Sequence, residues 1–214
     1  MKDYIMKDIS KFNWVLMADP GTTTVFATLF IAIHPYTKHI YILDEIYETD
    51  RNLTSTNVMW TEMIEKARDL HPGSSLESFE DWIKGYDQAA AWFASEMIYN
   101  HGVSFIPTDK ANNKKENGIS LIKDIFLKNL ITISDRCQNT IKEISRYHTN
   151  ERGEFIKKND HTIDIIRYML GMMFYDINDA IPNSHLPDNS VSRRRFVAHN
   201  PQSELEDIFK KFSE

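Results

Sequence analysis

Cysteine is almost absent from the 214-residue sequence: Cys137 is the single one. An internal disulfide and a multi-cysteine zinc cage are both excluded, so any bound metal must be held by oxygen or imidazole donors, which favours hard ions such as magnesium or manganese. Long apolar runs are missing too. No stretch approaches the roughly 18 residues needed to cross a bilayer, and no membrane span is expected. The opening Met1-Lys2-Asp3-Tyr4 has neither the apolar stretch nor the small-residue cleavage site of a secretory signal, so a cytosolic protein is expected. Positive charge is not in excess: 25 Lys and Arg stand against 31 Asp and Glu, a formal net charge of −6. That balance argues against coating nucleic acid by bulk attraction, which leaves only local basic clusters for phosphate contact. They are Lys110, Lys114 and Lys115, then Arg152, Lys157 and Lys158, and last Arg193-Arg194-Arg195. Each can equally be an ordinary solvated surface. Internal repeats and low-complexity segments are absent.

What is present suits one soluble domain. Apolar residues make up 42% and charged residues 26%, ordinary values for a globular chain of this length. Residues 1–181 are expected to form the domain, and 182–214, rich in Pro, Asn and Ser at first, a polar tail with a short helix over 203–212. Trp14 to Ala18 reads as a strand ending at the turn Asp19-Pro20-Gly21. Thr23 to His34 and His39 to Tyr47 continue an antiparallel meander. A helix capped by Thr54 or Ser55 follows over 56–70, closed by His71-Pro72-Gly73. Ser78 to Tyr86 reads as a strand ending at Asp87, Ala89 to Asn100 as a helix stopped at Gly102, and Val103 to Pro107 as a strand. Strand, helix and strand in that order predict a right-handed parallel crossover. Beyond it come a helix over 114–128, a β segment over 130–134, a helix over 139–147 and a long helix over 160–175. In the last, Ile163, Ile166, Leu170, Met173 and Phe174 recur at core spacing.

Three acids stand where such a fold would gather them: Asp19 after the first strand, Asp87 after the fourth, and Asp164 in the first turns of the last helix. A trio of that kind suits phosphodiester hydrolysis. Attack on an already anionic phosphorus needs positive charge nearby, supplied in many nucleases by two divalent ions about 3.5–4 Å apart, and carboxylates are the ligands such ions prefer. His161, three residues before Asp164, and Asp160, four before it, can share a helix face with it. Plainer roles remain open for each. Asp19 is a good turn residue, Asp87 a good helix cap, Asp160 or Asn159 a cap for the last helix, His161 a surface histidine, and Glu45 a strand-end carboxylate.

Four stretches, Met17-Ala18-Asp19-Pro20-Gly21, Tyr86-Asp87-Gln88-Ala89-Ala90, Ser134 to Ile144, and Asp160-His161-Thr162-Ile163-Asp164-Ile165-Ile166-Arg167-Tyr168, resemble the nuclease domain of tailed-phage terminase large subunits. The resemblance covers roughly residues 13 to 175. It implies an α/β, ribonuclease H-like (RuvC-like) fold with a mixed five-stranded sheet, three antiparallel strands then parallel ones, flanked by helices. It also implies an endonuclease that cuts double-stranded viral DNA concatemers during genome packaging, in the host cell cytoplasm. Asp19, Asp87 and Asp164 would be its metal-binding triad for two Mg2+ or Mn2+ ions, and His161 an auxiliary ligand or water-orienting group. Asp160 and Glu45 are further candidates beside it. The implied partners are double-stranded DNA, a packaging ATPase domain, a small terminase subunit and a portal. A Gly-x-x-x-x-Gly-Lys-Ser/Thr phosphate loop does not occur in the sequence, so packaging ATP hydrolysis is not expected of this chain, read as an excised domain or a separately encoded piece. Two other readings stay in view: a RuvC-like junction-resolving nuclease, and a module that binds DNA or docks to a portal without cutting.

Overall fold

The computed structural model describes residues 12–21, 25–49, 55–72, 82–108, 115–147, 160–173 and 178. The basic clusters and the tail lie outside the described residues, as does the side chain of Lys115. Strands β1 (Asn13–Pro20), β2 (Phe26–Ile33) and β3 (Ile40–Glu48) form the expected meander, and β4 (Ile83–Tyr86) and β5 (Ile106–Pro107) the expected parallel crossover. A sixth strand, β6 (Ile131–Ile133), pairs in parallel with β3, so among the described residues the sheet order is β5-β4-β1-β2-β3-β6, six strands where five were expected. Of these six, β2 runs against the other five.

The helices are α1 (Thr56–Leu70), α2 (Ala91–His101), α3 (Lys115–Leu127), α4 (Gln138–Arg146) and α5 (His161–Met172). Ser55 caps α1, its hydroxyl accepting the Val58 amide, and Gly102 ends α2 in the left-handed region at φ 67°, a conformation that glycine adopts without a Cβ clash. One sheet face packs on α1 and α2 through Leu16, Phe26, Phe30, Met63, Trp82 and Phe93. The other packs on α3, α4 and α5 through Met17, Leu29, Ile31, Ile42, Ile125 and Ile166.

β3 changes phase partway along. Phe30 pairs with Asp44 but Ile31 with Ile42, leaving Leu43 as an extra residue in a β-bulge. Alternation would otherwise put Asp44 on the same side as Ile40 and Ile42. The bulge instead turns Asp44 toward α1, where Lys66 Nζ is 3.0 Å away, and turns Glu45 and Tyr47 toward α4 and α5.

The sequence predicts one apolar stripe for α5, but burial goes much further round. Thr162, Arg167, Tyr168 and Met169 are buried along with the isoleucines, because α5 lies between the sheet and the helices α3 and α4. Gly85 on β4 permits this close approach: a Cβ there would clash with Met17 Sδ and come within 2.8 Å of Met172 Sδ. Gly85→Ala is expected to lower the unfolding free energy by about 1–3 kcal/mol, read from the urea midpoint. An unchanged midpoint would mean that both thioethers swing aside.

Candidate active site

Parallel pairing of β1 with β4 aligns Ala18 with Tyr86, and the Asp87 amide donates to the Ala18 carbonyl at 3.1 Å. Asp19 and Asp87 are thereby the next residues along two adjacent strand ends, on the sheet face that α5 covers. The first residue of α5 closes on Asp19. His161 Nδ1 lies 2.9 Å from Asp19 Oδ2, and since a carboxylate only accepts, the ring nitrogen carries the proton. In the neutral ring this tautomer leaves Nε2 as the acceptor atom.

Asp87 does cap a helix, as local chemistry allows: Oδ1 accepts the Ala89 amide at 2.9 Å, opening the short 3-10 turn Gln88–Ala90. Its other oxygen accepts the Tyr168 hydroxyl at 3.2 Å. Asp164 Oδ1 accepts from both Nε and a terminal nitrogen of Arg167, at 3.2 and 3.0 Å, and the Arg167 guanidinium lies 4.4 Å from the centre of the Tyr168 ring. Tyr168 therefore senses both acids. Burial, then the charges of Asp164 and Asp87, push its phenol above the ordinary tyrosine value.

The structure thus brings Asp19, His161 and Asp87 to one sheet edge, and links Asp164 to Asp87 through Arg167 and Tyr168. Among the described residues, no three His, Cys, Asp or Glu side chains already form a cage around one point. The donor set is nevertheless suited to hard divalent ions, being carboxylate oxygen and imidazole nitrogen. Cys137 offers no rival ligand, since it is fully buried and burial pushes its thiol well above the ordinary range.

Two acids take other roles. Glu45 caps α4: its Oε1 accepts the Asn139 amide and side chain at 2.7 and 2.9 Å, and its Oε2 the Thr140 amide and hydroxyl at 2.9 and 2.7 Å. Asp160 occupies the cap position of α5 but makes no side-chain cap bond. Glu143, on α4, caps α5 in its place. Its Oε2 accepts the Thr162 amide at 2.7 Å and hydroxyl at 2.5 Å, while Oε1 accepts the Tyr47 hydroxyl at 2.6 Å. Nothing local announces such caps, because donors and acceptors lie 19 and 94–95 residues apart in the chain.

The hydrogen bond to Asp19 raises His161 above its ordinary value of 6.5, against burial and with help from the charges of Asp19, Glu143 and Asp160. A raised folded value means stability that is fully present below the unfolded value and is lost as pH rises through the folded one. His161→Gln should therefore destabilise the chain more at about pH 5.5 than at about pH 8.5, measured by urea unfolding at both. An equal loss at the two values would show that the imidazolium–Asp19 pair contributes nothing.

No protein-family model matches the sequence. A 56-residue stretch is 34% identical to the terminase large subunit of Enterobacteria phage LP7, spanning 26% of this chain and 12% of that protein. The large terminase of a thermophilic bacteriophage superposes with a TM-score of 0.62 at 20% identity, over 77% of this chain and 40% of that one. The large terminase nuclease domain from bacteriophage SPP1, solved with bound Mn, gives 0.60 at 17% identity, over 80% of this chain and 91% of that domain. The chain therefore spans well under half of the whole terminase subunits it matches, and nearly all of an isolated nuclease domain. Its fold is the ribonuclease H-like fold of terminase large-subunit nuclease domains.

Proposed function

We propose that this chain is a metal-dependent endonuclease that cuts double-stranded viral DNA concatemers during genome packaging in the host cytoplasm, using Asp19, Asp87, Asp164 and His161. The observation that carries the reading is the pairing of two strand ends, with the Asp87 amide on the Ala18 carbonyl, and the placement of His161 on Asp19. Likeness in fold to a nuclease domain solved with manganese supports a divalent ion. Asp19, Asp87 and Asp164 would hold such ions, with His161 Nε2 as a further ligand or as a proton acceptor for water. What bound ions supply is positive charge for water activation and for the leaving oxygen.

The chain's own residues do the rest. Asp19 orients the His161 ring through Nδ1, as carboxylates do for metal-bound histidines generally. Tyr168 fixes one oxygen of Asp87, and Arg167, its guanidinium over the same ring, donates to Asp164. Arg167 is 5% exposed, so its charge serves the site rather than open solvent. With a net charge of −6, DNA affinity of the isolated chain should be weak. A nuclease fed by a packaging ATPase domain, a small terminase subunit and a portal would not need more.

Asp19→Asn, Asp87→Asn and Asp164→Asn should each reduce magnesium- or manganese-dependent plasmid cleavage to background while leaving the folded circular dichroism spectrum unchanged. His161→Ala should weaken cleavage or change metal preference without abolishing it. Full activity in any aspartate variant would remove that residue from the site. Preference for a four-way junction over linear DNA would shift the reading to a resolvase, and a wild-type chain that binds DNA without nicking it would end the enzymatic reading.

A further inference from the structure

The helix that carries His161 and Asp164 is held at its head by a residue the nuclease reading leaves without a role. Thr162 sits directly after His161, and both of its donors, amide and hydroxyl, end on one oxygen of Glu143. The second oxygen takes the Tyr47 hydroxyl, and the Tyr47 ring stands edge-on to the His161 ring with centroids 6.4 Å apart. Glu143 is 5% exposed, so a buried carboxylate has been placed where a short polar residue in the cap position would serve a helix start. Asp160, which occupies that position, leaves the task to it.

The foundation of this contact is equally directed. Glu143 belongs to α4, and α4 is anchored to β3 by the four bonds into Glu45, two residues before Tyr47. A hydrogen-bonded path therefore runs from β3 through α4 to the first turn of α5. Apolar packing alone is non-directional and would let α5 slide or rotate over the sheet. Short directional hydrogen bonds of 2.5–2.7 Å fix its height and azimuth, and reacting or ligating groups tolerate misplacement poorly.

We propose that Glu143, braced by Tyr47, is the positioning residue that seats the first turn of α5 so that His161 meets Asp19 and Asp164 faces the strand ends. The inference rests on the reading of those acids as a metal centre. The test is manganese binding by calorimetry on the 214-residue chain, joined to hydrogen exchange at the Thr162 amide. Glu143→Ala should weaken manganese binding by about 10–100-fold, the range found when groups supporting metal ligands are removed, and should strip protection from the Thr162 amide. Glu143→Gln should restore affinity to within about threefold, since its amide oxygen can accept from Thr162 while its NH2 donates to the Tyr47 hydroxyl. Tyr47→Phe should fall between the two.

Arg136→Ala is the stability control, because it breaks the ion pairs to Asp44 and Asp69 on the opposite side of the sheet. It should bind manganese as the wild type does. Wild-type affinity in both Glu143→Ala and Tyr47→Phe overturns the proposal, as does an affinity loss in Arg136→Ala that matches theirs. Unchanged Thr162 protection in Glu143→Ala overturns it independently of any metal. A wild-type chain that takes up no manganese removes the metal reading and this inference with it.

Discussion

The seating of α5 is the constraint on which the rest of the structure depends. Its apolar side chains fill the space between the sheet and two other helices, each contributing on the order of 1.5–3 kcal/mol when fully buried. Its first turn must also present polar groups at the strand ends. Those demands conflict, because a helix embedded on most of its circumference leaves the amides of its first turn without solvent. Glu143 resolves the conflict with a buried carboxyl group brought from α4, and Gly85 allows the body of the helix to lie close on β4.

Much of the fold was legible in the sequence, since period-2 and period-3.6 patterns report which faces must be buried. α1 begins and ends as its cap and breaker residues predict, and β1 to β3 follow their apolar runs with shifts of a few residues at their ends. β6 is the instructive departure. Leu130 to Ser134 reads as a β segment, but three residues cannot reveal which edge they join, and its parallel pairing with β3 depends on α4 and α5 filling the same face. Aspartates at strand ends were legible for a similar reason. A turn residue after an apolar run is a local signal, and adjacent parallel strands then bring two such signals together.

The supporting residues were not legible. Glu143 stands on an amphipathic helix where an acid reads as solvent-facing, and only the tertiary fold turns it inward onto Thr162. Tyr168 and Arg167 follow Asp164 so closely that helical spacing suggests core and surface, whereas both are buried and both contact an acid of the candidate site. The Ser134 to Ile144 stretch illustrates the same point at motif level. Its likeness to a family could be seen, but its physical task, receiving Glu45 at one end and offering Glu143 from the other, arises only in the tertiary fold.

The single surplus residue in β3 has a consequence for how the chain tolerates length change. Odd and even positions after Leu43 serve opposite layers, Glu45 and Tyr47 one way and Asp44 and Ile46 the other. Excising Leu43 would smooth the ladder and leave that parity intact. Excising Ile46 would exchange it for all that follows, carrying the tyrosine hydroxyl away from α5 to the far side of the sheet. Two neighbouring deletions of similar apolar bulk would then have opposite effects: one subtracts a side chain, and the other uncouples the strand from the helix.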